Sequence, residues 1–172
     1  MPAQEAKLSG NTPAKPTLTL GDALKRAVAF MNANKRTEAE QMLRAIQRAK
    51  PDQFDALHLL GVLKASQGEY QEGINFLVQA LKINPKSAEA FLNLGNALQG
   101  AKRNEEALAS YDKALAIKSD YVEALSNRGV VLRQFGRDAD AIESYDRALA
   151  IKPDYAPALK NRDHILSKMK KQ

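Results

Sequence analysis

Residues 88–121 and 122–155 are two versions of one 34-residue segment. Aligned end to end they agree at 17 of 34 positions, and SYDKALAIKSDY in the first becomes SYDRALAIKPDY in the second. A fixed period of this length marks a stacked-repeat architecture. Each unit is a supersecondary element that cannot bury its apolar face alone, so neighbours must stack. That requirement excludes most other folds.

Counting back by 34 recovers two fainter units, 54–87 and 20–53, related by residue class rather than identity. Each unit reads as a first helix over positions 1 to 14, a short turn and a second helix over about 18 to 31. In the clear units, Phe91, Gly95 and Leu98 and then Leu125, Gly129 and Leu132 recur at positions 4, 8 and 11. Second helices carry Ala107, Tyr111, Ala114 and Leu115, then Ala141, Tyr145, Ala148 and Leu149, at 20, 24, 27 and 28. Steps of three and four place each set on one helical face. Small residues at 8 and 20 let the two helices of a unit approach closely. Gly68 and Gly136 suit the ends of first helices. Pro51, Pro85 and Pro153 close their units, and Asp120 with Glu123 reads as an N-cap and its capping-box partner.

These residues resemble the tetratricopeptide repeat (TPR), whose pattern has a large apolar residue at 4, Leu at 7, Gly or Ala at 8, an aromatic or Leu at 11, Ala at 20, an aromatic at 24, Ala at 27 and Pro at 32. The resemblance implies an all-α, right-handed superhelical solenoid of helix-turn-helix units. Departures are Ser119 at position 32, Lys64 at 11, Gly73 at 20, and Arg26 and Arg128 at 7. Gly73 is expected to cost about 1 kcal/mol against Ala in a helix interior. The expected layout is a disordered tail over 1–18, where Pro2, Pro13 and Pro16 stand among polar residues, and a repeat domain over 19–172. Within it lie repeats 20–53, 54–87, 88–121 and 122–155 and a capping helix over 156–170. Leu159, Leu166 and Met169 continue the packing stripe there, but Asp163 occupies position 8, where a carboxylate could not lie under a second helix.

Composition narrows the function classes. With no cysteine, disulfides, thiolate metal sites and a cysteine nucleophile are excluded. Nothing near residue 1 resembles a secretory signal and no run is long enough to span a bilayer, so a cytoplasmic location without membrane attachment is expected. The net charge of +6 sits at the ends: 20–53 carries +3 and 156–172 carries +4, whereas each clear repeat carries −1. A nucleic-acid surface shows a continuous basic stripe, so a nucleic-acid partner is not expected. His58 and His164 are the only histidines and have no ligand cluster beside them. Glu105–Glu106 and Asp138–Asp140 open second helices, where the helix dipole favours negative charge. No enzyme activity, small-molecule substrate, cofactor or metal is expected.

What packing leaves over lies on one side of the first helices, at positions 2, 5, 6, 9, 12 and 13. The TPR resemblance implies that this side lines a concave groove for a peptide. Position 6 reads Lys25, Leu59, Asn93, Asn127, Asn161. Three asparagines at 34-residue spacing form a ladder, and each amide offers a donor and an acceptor to an extended peptide backbone. The ladder resembles the repeat region of the O-linked N-acetylglucosamine transferases and their bacterial relatives. Asn96, Gln99, Arg133, Lys160 and His164 extend the polar face, and His58 at position 5 belongs to the same expected groove. In the competing reading each asparagine braces a neighbouring helix. A clamp for a chaperone carboxylate tail is not expected, because the positions it uses (His58, Val62, Asn93, Glu123, Asn127, or Leu92, Asn96, Asn127, Pro157, Asn161) lack every required cation. Towards the N-terminus the same face is apolar, with Leu24, Val28, Met31, Leu59 and Val62, as inter-helix packing or as the apolar half of the groove. The sequence points to a non-catalytic protein–protein interaction scaffold for an extended peptide. The alternative is the substrate-recruiting arm of a larger glycosyltransferase-like enzyme.

Overall fold

The computed structural model describes residues 18–170; apart from Leu18, the expected tail over 1–18 lies outside the described residues. Among the described residues nine helices follow one another: α1 (Leu20–Asn32), α2 (Arg36–Ala49), α3 (Phe54–Ser66), α4 (Tyr70–Ile83), α5 (Ala88–Gly100), α6 (Asn104–Ile117), α7 (Val122–Gln134), α8 (Asp138–Ile151) and α9 (Ala156–Met169). No strand occurs among the described residues, and the chain is an all-α helical repeat array. Each helix packs on the next, and each odd-numbered helix also packs on the following odd one. Consecutive even helices make no comparable contact among the described residues. The odd helices therefore line the inner side of the stack and the even helices its outer side.

All four helix pairs turn in the same way. Asn34, Gly68, Lys102 and Gly136, 34 residues apart, have φ of 55°, 84°, 61° and 71°. The backbone N–H of each bonds three residues back, and the next N–H bonds five residues back: Lys102 to Gln99 and Arg103 to Leu98, both at 2.9 Å. This is a Schellman cap, which favours glycine at the left-handed position. Lys102 bears a Cβ there, so Lys102→Gly is expected to stabilise the protein by about 0.5–1 kcal/mol in urea unfolding.

Close packing within a unit takes two forms. In 54–87, Gly61 and Gly73 bring backbone against backbone: a Cβ on Gly73 would lie 2.9 Å from the Gly61 carbonyl oxygen and 3.0 Å from the Ala65 nitrogen. Gly73 is thus a requirement of the helix crossing rather than a propensity defect. In the two clear repeats the space over the glycine is filled by a tyrosine ring, Tyr111 on Gly95 and Tyr145 on Gly129. Both rings are completely buried.

The two downstream arginines at position 7 join repeats. Arg128 Nε donates to Asp112 Oδ1 at 2.7 Å and Arg162 Nη1 to Asp146 Oδ1 at 3.0 Å, each reaching the preceding second helix. Lys64 is buried among carboxylates of α2, α4 and the turn that precedes α4, with Glu40 at 2.8 Å, Glu69 at 3.2 Å and Glu72 at 3.5 Å.

Two expectations need correction. Asp120 does not cap α7: the N-cap is Tyr121, without a side-chain bond, whereas Ser87 caps α5 by accepting from Ala90 N–H at 3.1 Å. On α9, Leu159, Ala158 and Ile165 pack inward, but Leu166 and Met169 are exposed, because their positions face where a second helix would lie. Asp163 also faces solvent and pairs with Arg162 at 3.2 Å.

Candidate functional site

The inner face divides into four stations, one between each pair of consecutive odd helices. Between α1 and α3 lies an open cleft of about 420 Å³ lined by Leu24, Lys25, Val28, Asp55, His58 and Leu59. Leu24 and Leu59 reach the core with one side and the cleft with the other, while Val28 is exposed. Leu59 thus combines packing with an open surface. Val62 is half-buried on the same helix and is not part of the cleft lining.

Between α3 and α5, His58 is buried and stacked on Phe54 with ring centroids 5.5 Å apart. Its Nε2 lies 2.8 Å from Asn93 Nδ2, so the amide donates to a neutral ring. Burial lowers the His58 pKa, partly offset by Glu89 and Asp55. A folded state with a depressed histidine pKa binds fewer protons than the unfolded chain. His58 therefore contributes stability above about pH 6.5 that is lost as pH falls through its folded pKa. Urea unfolding between pH 7 and 5.5 should show a loss for the native chain and a shallower one for His58→Gln.

The third station, between α5 and α7, is a closed network. Tyr111 Oη donates to Asn96 Oδ1 at 2.9 Å and lies 3.1 Å from Gln99 Oε1, and Asn127 Nδ2 donates to the same Asn96 oxygen at 2.8 Å. Burial raises the Tyr111 pKa, opposed by the neighbouring Asn127 amide, so the phenol stays protonated. The hub is Tyr111, a second-helix packing residue by its place in the repeat that also carries polar bonds here. Its signal was present in the repeat: a tyrosine at 24 over a glycine at 8, with amides at 9 and 12.

At the fourth station, between α7 and α9, the network is missing. Positions 9 and 12 hold Val130 and Arg133 where Asn96 and Gln99 stood. The Tyr145 hydroxyl is buried with no hydrogen-bond partner among the described residues, and burial pushes its pKa up to about 12. Arg133, Lys160, Asn161, Asp163, His164 and Ser167 line an open hollow at this station.

The structure thus sets Asn93, Asn127 and Asn161 on successive inner helices, with different duties. Asn93 and Asn127 each commit one amide donor to the preceding odd helix, and neither Oδ1 accepts a side-chain bond among the described residues. Asn161 makes no side-chain hydrogen bond there. Asn96 and Gln99 serve Tyr111. His58 is a buried brace that also floors the cleft. Among the described residues no group of three His, Cys, Asp or Glu is placed to share a metal ion, and no helix is long and apolar enough to cross a membrane.

A family profile for the tetratricopeptide repeat matches residues 52–120 and again 86–154. No curated protein matches the chain. Among solved structures, MamA is 22% identical with a TM-score of 0.71, covering 90% of this chain and 97% of its own. PilF of Pseudomonas aeruginosa is 20% identical with a TM-score of 0.82, over 88% of this chain and 69% of its own. YrrB, described as a TPR protein with an unusual peptide-binding site, is 22% identical with a TM-score of 0.74, over 83% and 73%. At these identities the likeness concerns the fold. The profile spans more than half of the chain, in register with the 34-residue period and the repeated Schellman turns, and the chain belongs to the tetratricopeptide repeat family.

Proposed function

We propose that this chain is a protein-interaction scaffold without catalytic activity, and that it holds an extended peptide along the inner face of its odd helices. The observation that carries the reading is the row of amide groups left without a side-chain bond among the described residues: Asn93 Oδ1, Asn127 Oδ1 and the whole Asn161 amide, on three successive odd helices. Packed helices lie about 8–10 Å apart, and an extended peptide advances about 3.3 Å per residue. One rung therefore meets about every third residue of the ligand. Backbone pairing of this kind tolerates many side chains, and the cleft of Leu24, Val28 and Leu59 adds an apolar anchor at one end. The peptide-binding site described for YrrB supports the same use of the fold.

The bracing bonds change how the row is tested. Asn93→Ala and Asn127→Ala each remove an inter-helix bond, at about 0.5–1.5 kcal/mol. Asn161→Ala removes none. This single variant should melt within about 1 °C of the native chain while binding of library-selected peptides weakens several-fold. Unchanged binding with an unchanged melting temperature would refute a ligand role for this rung.

A further inference from the structure

The cationic hollow between α7 and α9 differs from the other stations in kind. The geometry points to a carboxylate subsite: we infer that Arg133 and Lys160 receive the side-chain carboxylate of an acidic residue in the bound peptide. The inference rests on the groove reading above and gives that groove a direction.

The first support is a half-buried cation without a carboxylate. Most exposed lysines and arginines are unpaired, but of the cations that are not exposed, Arg44, Lys64, Arg103, Arg128 and Arg162 each lie within ion-pair distance of a carboxylate. Arg133, half-buried on the inner face, has no such partner among the described residues, and neither has Lys160. A partly desolvated guanidinium gains most from a planar, bidentate acceptor, which a carboxylate supplies.

The second support is the Tyr145 hydroxyl. Its counterpart 34 residues earlier spends its proton on Asn96 and lies beside Gln99. The replacements Val130 and Arg133 leave the Tyr145 hydroxyl buried without a partner among the described residues; burial raises its pKa and the Arg133 charge opposes that. An orphaned hydroxyl is normally an unfavourable feature. Here the exchange of Gln99 for Arg133 at position 12 both removes the hydroxyl's counterpart partner and sets an unpaired guanidinium at the same station.

The carboxylates nearby do not neutralise the hollow. Asp163 is held by Arg162 at 3.2 Å, and Asp138 stands at the N-terminus of α8 beside the adjoining hollow, which Arg133, His164 and Lys168 also line. Positive charge is therefore in excess at this end, while the apolar cleft lies about three inner-helix spacings away, about 24–30 Å. An extended chain covers that span with about seven to nine residues. The expected ligand carries an apolar residue at one end and an Asp or Glu about eight positions away.

The test is selection of a random dodecapeptide display library on the whole protein, repeated on Arg133→Gln/Lys160→Gln. The substituted side chains have no ion-pair partner, so the variant should keep the native melting temperature. Peptides selected by the native chain should be enriched in Asp or Glu. One of them should bind the variant at least ten-fold more weakly, and its Asn or Gln analogue should bind the native chain with the same loss and the variant with little further loss. Neutral selected peptides would overturn this inference and leave the groove reading standing. Independent, multiplying losses would also overturn it, because the acid would then sit elsewhere. Selection of no peptide would overturn both.

Discussion

Replacing Lys64 by methionine is expected to destabilise the array by about 2–3 kcal/mol at neutral pH, although the repeat pattern favours an apolar residue at that position. The Lys64 ammonium is buried and meets Glu40, Glu69 and Glu72 from three separate segments, while Arg44 bonds Glu72 and approaches Glu40 at 3.5 Å. Burial alone would lower the Lys64 pKa, but the bonds to Glu40 and Glu69 and the charge of Glu72 raise it, so the lysine stays charged. Glu72 is likewise held below its usual range: burial opposes ionisation, and Arg44 and Lys64 overcome that. Methionine would preserve the packing of the aliphatic stem and leave three carboxylates around a single arginine. Because those carboxylates keep side-chain exposures of 25–47%, solvent absorbs part of the penalty, which places the effect below that of a fully buried pair. Adding Glu40→Gln and Glu72→Gln to Lys64→Met should recover most of the loss in urea unfolding. A neutral single substitution would show that the cluster contributes nothing to the seam between the first two repeats.

Gly95→Ala should cost about 1–3 kcal/mol despite the higher helix propensity of alanine. The added Cβ would stand 2.5 Å from Tyr111 Cε1 and 2.7 Å from Cδ1, and the ring has no exposed surface into which to move. The chain itself contains the solution to this clash. At the matching positions of residues 20–53 it pairs Ala27 with Leu43, both completely buried. Alanine with leucine fits, and glycine with tyrosine fits, but alanine with tyrosine does not. The double variant Gly95→Ala/Tyr111→Leu should therefore be less destabilised than the sum of its singles, by a coupling of about 1–2 kcal/mol. Additive losses would mean that the glycine and the ring are not matched partners. Tyr111→Leu should also release Asn96 and Gln99, so the double variant separates packing from the polar network.

The helical layout was legible because a 34-residue period repeats every packing position. The expected helices over positions 1–14 and about 18–31 appear at 1–13 and 17–30 of each unit. Gly68 and Gly136 announced the turns, and Asn34 and Lys102 adopt the same geometry without glycine because the period imposes it. What escaped the sequence depends on contacts between units. The Lys64 cluster joins side chains from 40 to 72 that no local pattern links, and the Asn93–His58 bond spans 35 residues. Gly73 reads as a propensity defect until the Gly61 backbone is placed against it. For the inner face, periodicity placed three asparagines in line, but only the geometry separates the two that brace helices from Asn161.

The central claim is that ligands meet the odd helices, and side-chain amide NMR tests it with controls built into the chain. A peptide captured from a random library by the immobilised protein is titrated into 15N-labelled protein. The Nδ2 resonances of Asn93, Asn127 and Asn161 should shift together and saturate at one concentration. The side-chain amide resonances of Gln41, Asn75 and Gln79, exposed on the outer helices α2 and α4, should stay fixed. Shifts confined to the outer amides, with the three inner asparagines unmoved, would contradict the account.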